Sequence, residues 1–151
     1  MKVIDSFEGE FEFLSNFSES PLFIAGFWVP TVEHFFQAHK LGTKSDEMFY
    51  EILRAETPGK AKRLGRKCKL RDDWESVKDT IMYYALCKKF QYQDLKKKLL
   101  ATGDALLIEG NTWHDNYWGD CKCEKCKDIR GENKLGQLLM RVREELKPIK
   151  K

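Results

Sequence analysis

At 151 residues the chain has the length of one domain and can bury a hydrophobic core without disulfides or a metal to hold it. Its 27 basic and 24 acidic residues leave a net charge of only +3, which gives no case for a duplex nucleic-acid binder with a strongly basic face but accommodates a small anionic ligand. The first residues mix charged with apolar groups, no run reaches transmembrane length, and the odd count of 5 cysteines argues against a secreted disulfide framework, so a cytoplasmic protein without a membrane partner is expected.

In chain order, Phe11 to Phe17 is too mixed to assign. Leu22 to Ile24 and Phe27 to Val29 are short β-like runs separated by Ala25-Gly26, a hairpin signal. A helix follows from Pro30 to Lys40, with Thr31 as N-cap and Gly42 as its stop. Ser45 would cap a second helix carrying Met48, Phe49, Ile52 and Leu53, and Thr57 before Pro58 opens a third. Asp72 or Asp73 begins a longer one, with Trp74, Val77, Ile81, Tyr84 and Ala85 at helical spacing until about Phe90. Asp94 to Ala101 supplies a short helix ended by Thr102-Gly103, and Ala105 to Ile108 has the length of a strand. Gly110 to Gly131 is a long irregular stretch rich in aromatic, Asp, Asn and Cys residues, of the kind that carries function in small domains. The last helix places Leu135, Leu138, Leu139, Val142 and Leu146 on one side and Arg141, Arg143, Glu144 and Glu145 on the other. The expected fold is α+β: one domain over residues 1–151, predominantly helical, with a few short N-terminal and central strands.

Four groups of residues can carry chemistry. On the Pro30 to Lys40 helix, Glu33, Gln37 and Lys40 follow one another at one-turn intervals, while Phe35, Ala38 and Leu41 face a core. Such Glu/Lys pairs commonly decorate solvated helix surfaces. Val32 and the Phe35-Phe36 pair leave little of this helix to expose, however, so its charged groups are expected to line a cavity. Desolvation there would raise the Glu33 pKa, as a proton donor needs, and lower that of Lys40, as a nucleophile needs, although the helix dipole opposes the first effect. The run from Trp113 to Asp120 combines stacking rings with Asp115 and Asn116, the division of labour of a nucleotide pocket, unless Trp113 and Trp118 merely anchor the loop. Among Lys60, Lys62, Arg63, Arg66, Lys67, Lys69 and Arg71, the residue best placed to meet a phosphate is Arg66, because Gly65 lets a ligand or backbone come close. Finally, His114, Cys121, Cys123 and Cys126 are four zinc-ligand types at irregular spacing. Free thiols are expected on redox grounds, with zinc as the alternative.

Taken together, Phe13-Leu14-Ser15-Asn16-Phe17, Val32-Glu33-His34-Phe35-Phe36-Gln37-Ala38-His39-Lys40, Leu64-Gly65-Arg66, Trp74 to Lys78, His114-Asp115-Asn116-Tyr117-Trp118-Gly119-Asp120 and Gly131 to Gly136 closely resemble the NADAR (YbiA-like) family. The resemblance implies an enzyme without a cofactor that cleaves an N-glycosidic bond between ribose and a base-like group. Its implied substrate is a phosphorylated ribosylamino-pyrimidine of riboflavin biosynthesis, with release of ribose 5-phosphate. The alternatives are removal of ADP-ribose from modified guanine in nucleic acid and, from another class, a non-catalytic ADP-ribose or NAD binding module. Carried over by motif, Glu33, Lys40 and Asp115 become catalytic, and Trp74 stacks on the base. Asn16, Phe17, Trp118, Gly119 and Asn133 match further motifs and complete the pocket, to which the helix face adds Gln37 and the basic run Arg66 as substrate contacts. The departure from the family pattern is Cys121 to Asp128, where a glycine-rich or polar connection is expected.

Overall fold

Helical periodicity dominates the middle of the sequence, and helices fill it in the structure, a computed structural model that describes residues 2–42 and 47–149. The chain divides into two units, Asn16–Lys89 and a second one made of the residues up to Ser15 with those from Phe90 onward.

The Asn16–Lys89 unit opens with a short hairpin. Strand β1 (Val3–Ile4) belongs to the other unit; the hairpin is β2 (Leu22–Ile24) and β3 (Phe27–Val29), antiparallel with Leu22 opposite Val29. Ala25 and Gly26 both have positive φ, 53° and 88°, the backbone that a tight two-residue turn demands. Four helices follow: α1 (Val32–Ala38), α2 (Glu47–Leu53), α3 (Pro58–Arg66) and α4 (Trp74–Lys89). Thr31 caps α1 by accepting from His34 N at 3.1 Å, and Thr57 caps α3 by accepting from Lys60 N at 3.1 Å, so both expected caps form. Ser45, the expected cap of α2, lies outside the described residues. α1 is the hub of this unit: every residue from Val32 to Ala38 is buried, against α2, α3 and α4. The core around it includes Leu22, Ile24, Phe49, Ile52, Met82 and Leu86. Each such side chain contributes about 1.5–3 kcal/mol on burial.

In the other unit, β1 pairs in parallel with β4 (Leu106–Leu107), Val3 opposite Leu106. The first part of the unassigned Phe11 to Phe17 stretch belongs to a 3-10 helix, Gly9–Leu14, that buries Phe13 and Leu14. α5 (Gln93–Ala101) ends at Gly103, whose φ is 62°. The irregular stretch contains a short parallel pair, β5 (Gly110–Asn111) with β6 (Asp120–Cys121), and a 3-10 turn, Glu124–Cys126. α6 (Lys134–Leu146) packs Leu135, Leu139 and Val142 against β4 and α5. Arg143, expected on the solvated side of α6, is buried, because its guanidinium Nη1 donates to Thr102 Oγ1 and to Ala105 O, both at 2.9 Å. The fold is α+β, with short strands and helices in both units.

Candidate active site

Within Asn16–Lys89 the residues singled out from the sequence meet around α1. Glu33 is 7% exposed and Gln37 4%. Gln37 Nε2 donates to Glu33 Oε1 at 2.7 Å, which fixes the carboxylate in its rotamer. The helix does not run on to Gly42. It stops at Ala38: the His39 amide still donates to Phe35 O at 3.2 Å, joined there by its ring Nδ1 at 2.8 Å, but His39 leaves helical geometry with ψ of 0°. Lys40 therefore stands in the turn beyond α1 and not on the helix itself. Tighter bonds, Lys40 N to Gln37 O at 3.3 Å and Leu41 N to Ala38 O at 3.2 Å, continue the winding and keep Lys40 on the Glu33 side.

Lys40 Nζ lies 5.9 Å from the centroid of the Phe36 ring. Burial holds this amine below the usual lysine range; the Glu33 carboxylate pulls it back up, and the positive charges of Arg66 and Lys62 push it further down. The electrostatics thus join α1, the turn after it and α3. Gly65 makes that approach of α3 possible, since a Cβ there would overlap Gln37 Oε1. The same oxygen is buried without a hydrogen-bond partner, as is Asn16 Oδ1. Asn16 enters this site through its backbone as well, its carbonyl accepting from Glu33 N at 3.2 Å, while its Nδ2 reaches Met82 Sδ at 3.5 Å.

Trp74 is 6% exposed, its ring centroid 5.1 Å from that of Phe36 at an interplanar angle of 55°. It backs the Phe36 ring and offers no open face, so the stacking role expected of it has no surface in this geometry. The open ring of this group is Phe17, 42% exposed, with Lys62 Nζ 5.9 Å from its centroid. Arg66 ends α3 on the surface and reaches Lys40 only through its charge.

In the other unit the Asp115 loop is built on Asn111. Asn111 Oδ1 accepts from the amides of Trp113 and Asp115 at 3.2 and 3.1 Å, and its Nδ2 donates to Asp115 O at 2.8 Å. Asp115 Oδ1 in turn accepts from Tyr117 N at 3.1 Å and Trp118 N at 2.9 Å, a side-chain turn that orients the carboxylate. The Tyr117 and Trp118 rings meet edge to face at 4.9 Å. Trp113 is exposed and Trp118 half-buried, so neither is a core plug. A Cβ on Gly119 would overlap Glu109, which makes this glycine a packing requirement. The Asn133 amide is committed to the fold: Oδ1 accepts from Glu109 N and Nδ2 donates to Leu107 O, both at 2.9 Å. His114, Cys121, Cys123 and Cys126 gather their donor atoms within 4.8 Å of one another.

Sequence reasoning missed Asn111 and His34. Asn111 is a lone Asn after Gly110 and carries no signal. His34 is fully buried, its Nε2 2.9 Å from Ala55 O and its Nδ1 2.8 Å from Thr31 Oγ1. Thr31 before a first-turn His was legible only as a cap.

The NADAR domain model matches residues 5–147. The N-glycosidase YbiA of Escherichia coli (strain K12) is 45% identical over 136 residues, which are 87% of this chain and 79% of that protein. The NMR structure of the E. coli protein YbiA superimposes with a TM-score of 0.80 at 40% identity, covering 97% of this chain and 86% of the other. A riboflavin biosynthesis protein of Vibrio vulnificus (strain YJ016) is 38% identical over 89% of this chain and 35% of its own length. A domain model that spans nearly the whole sequence, together with a relative and a solved structure that agree along most of it, places the chain in the NADAR domain family.

Proposed function

We propose that this chain hydrolyses the N-glycosidic bond of a phosphorylated ribosylamino-pyrimidine of riboflavin biosynthesis and releases ribose 5-phosphate. It is a hydrolase of N-glycosyl bonds, the class named for its E. coli relative, and the Vibrio relative's name supports the riboflavin side of the reading. The ribosyl phosphate and the product follow from the family resemblance. The observation that carries the chemistry is the amine of Lys40, depressed by burial and held in the field of a Glu33 carboxylate that Gln37 fixes in place.

Breaking the bond builds positive charge on the anomeric carbon, and the departing nitrogen needs a proton. In this reading the ionised Glu33 carboxylate supplies the stabilising charge, and the Lys40 amine, made cationic as it bonds to the anomeric carbon, gives up the proton that the departing nitrogen needs. Unprotonated Lys40 Nζ attacks the anomeric carbon as the base leaves with the bonding pair and a proton. The ring oxygen then leaves C1 and is protonated, giving an imine between Lys40 and the opened sugar. Water adds to the imine and returns the sugar aldehyde and the free amine. Asn16 Oδ1, a buried acceptor lacking a donor, suits a sugar hydroxyl, and Phe17 with Lys62 offers an open ring beside a cation. Arg66 would meet the phosphate as a surface cation. Asp115 keeps its role from the family resemblance alone, and Asp115→Asn in the same assay decides it.

The test is a panel of ribosylamino-pyrimidine phosphates and ADP-ribosylated guanine oligonucleotides, read by mass spectrometry of the released sugar. Ribose 5-phosphate from the first group is expected. ADP-ribose from the second group alone would move the assignment to nucleic acid, and turnover of neither would leave a binding module. Borohydride added during turnover should fix the reduced sugar on Lys40; an unchanged protein mass with turnover intact would remove the covalent step.

A further inference from the structure

We propose that His114, Cys121, Cys123 and Cys126 bind a structural zinc ion, His114 through Nδ1 and the cysteines as thiolates. The irregular spacing that weakens the motif in the sequence is resolved by the backbone. Cys121 ends β6, the 3-10 turn at Glu124–Cys126 brings Cys126 back beside Cys123, and His114, with φ of 69°, turns its ring toward them. Its Nδ1 lies 3.3 Å from Cys123 Sγ, 3.4 Å from Cys126 Sγ and 4.0 Å from Cys121 Sγ.

A single imidazole nitrogen exchanges one proton with one partner, so three sulfurs around it exceed what hydrogen bonding can satisfy. The nitrogen-to-sulfur distances to Cys123 and Cys126 are close to the edges of a tetrahedron, and Cys121 Sγ stands about half an ångström farther out. Zinc with Zn–S of about 2.3 Å and Zn–N of about 2.0 Å separates its sulfurs by roughly 3.8 Å and nitrogen from sulfur by roughly 3.5 Å. Cys121 Sγ also accepts from two backbone amides, His114 N at 3.3 Å and Cys123 N at 3.5 Å, the outer support that thiolate ligands ordinarily have. Four protein donors leave no open position, which makes the site structural and not catalytic.

The ion would close the loop on both sides of Asp115. His114 precedes Asp115, and Asn116 Oδ1 accepts from Cys121 N at 2.9 Å, so a clamp on His114 and Cys121 holds the segment whose amides orient the Asp115 carboxylate. The inference stands on this loop alone and does not depend on which substrate is cleaved.

The experiment is metal analysis of the full chain produced with added zinc and freed of loose metal by gel filtration. Roughly one zinc per chain is expected. Cys123→Ser and Cys126→Ser should each retain less than about a tenth of that, while Cys87→Ser keeps it all. If those variants do not fold, X-ray absorption at the zinc edge of the unaltered chain answers the same question, with three sulfurs at about 2.3 Å and one nitrogen at about 2.0 Å. Stripping with a strong chelator should lower Tm by roughly 5 °C or more, restored by zinc. Zinc below about 0.1 per chain, a zinc shell without sulfur, or a disulfide among the three cysteines in the purified protein would each overturn the proposal.

Discussion

Lys40 and Glu33 oppose each other in one respect that can be measured. Burial lowers the lysine pKa and the Glu33 charge raises it, so wild-type kcat/KM should climb with pH on a limb below the ordinary lysine range. Removing the charge in Glu33→Gln takes away the raising influence and moves the limb to lower pH. The plateau should fall at the same time, by about 10²–10³-fold for the loss of a charge that stabilises the transition state. Lys40→Arg, whose guanidinium stays protonated, should show no such limb and a plateau lower by roughly 10³-fold or more. Kinetics from pH 6 to 10 check both variants. A limb at the same pH with and without the Glu33 charge would mean that the two groups do not act on one another. The orphaned Oε1 of Gln37 belongs to the same balance: the amide spends its donor on Glu33 and leaves a buried acceptor unmade, at a cost of about 1–3 kcal/mol.

At the scale of elements, the contact of α1 with α3 is what holds that balance, and Gly65 is its narrowest point. Gly65→Ala gains helix propensity of about 0.8–1 kcal/mol but drives a methyl into Gln37 Oε1, against an overpacking cost of about 1–3 kcal/mol. The two nearly cancel in stability and do not cancel in activity, because the group displaced is the one that fixes Glu33. We expect a Tm change within about 5 °C and a loss of roughly tenfold or more in kcat/KM. Gly59→Ala on the same helix, where a Cβ would meet only Arg63 and Thr57 at 3.8 and 3.9 Å, should leave kcat/KM unchanged. Thermal melts and kinetics on the two variants decide it: equal activity in both would show that the Gln37 contact is only packing. Much of this element was legible. Thr31 and Thr57 read as caps, and the apolar neighbours of Glu33 foretold its burial. The end of α1 was not, because nothing in the propensity of His39 announces that its backbone leaves helical geometry three residues before Gly42. Arg143 misled for a similar reason, since its partners, Thr102 and Ala105, are distant in sequence.

For the molecule as a whole, local patterns carried the helices and the β2–β3 hairpin, and long-range pairing stayed hidden. Val3 with Leu106 and Gly110 with Asp120 are parallel ladders too short for any periodicity to announce. The buried polar network was equally invisible, and through His34 it sets how the stability of the fold responds to acid. Ala55 O can only accept, so His34 Nε2 carries the proton, and Nδ1 accepts from the Thr31 hydroxyl; the ring is neutral in the fold. Desolvation is the larger influence and lowers its pKa, while the bond to Ala55 O raises it less. In the unfolded chain the imidazole titrates near about 6.5. Above that value neither state is protonated and this contribution is fully present. As pH falls below it the unfolded chain takes up a proton that the fold refuses, and stability drops until the lower native pKa is reached. The slope from one such group is at most about 1.4 kcal/mol per pH unit, or roughly 3–5 °C in Tm for a chain of this size. Melts between pH 7.5 and 5.5, a window above the carboxylate range, should show this decline in the wild-type chain. In His34→Gln the melting temperature should start lower, since Gln cannot bridge Thr31 and Ala55 equally well, but it should stay nearly level across the window. Parallel declines in the two chains would place the acid sensitivity elsewhere than at His34.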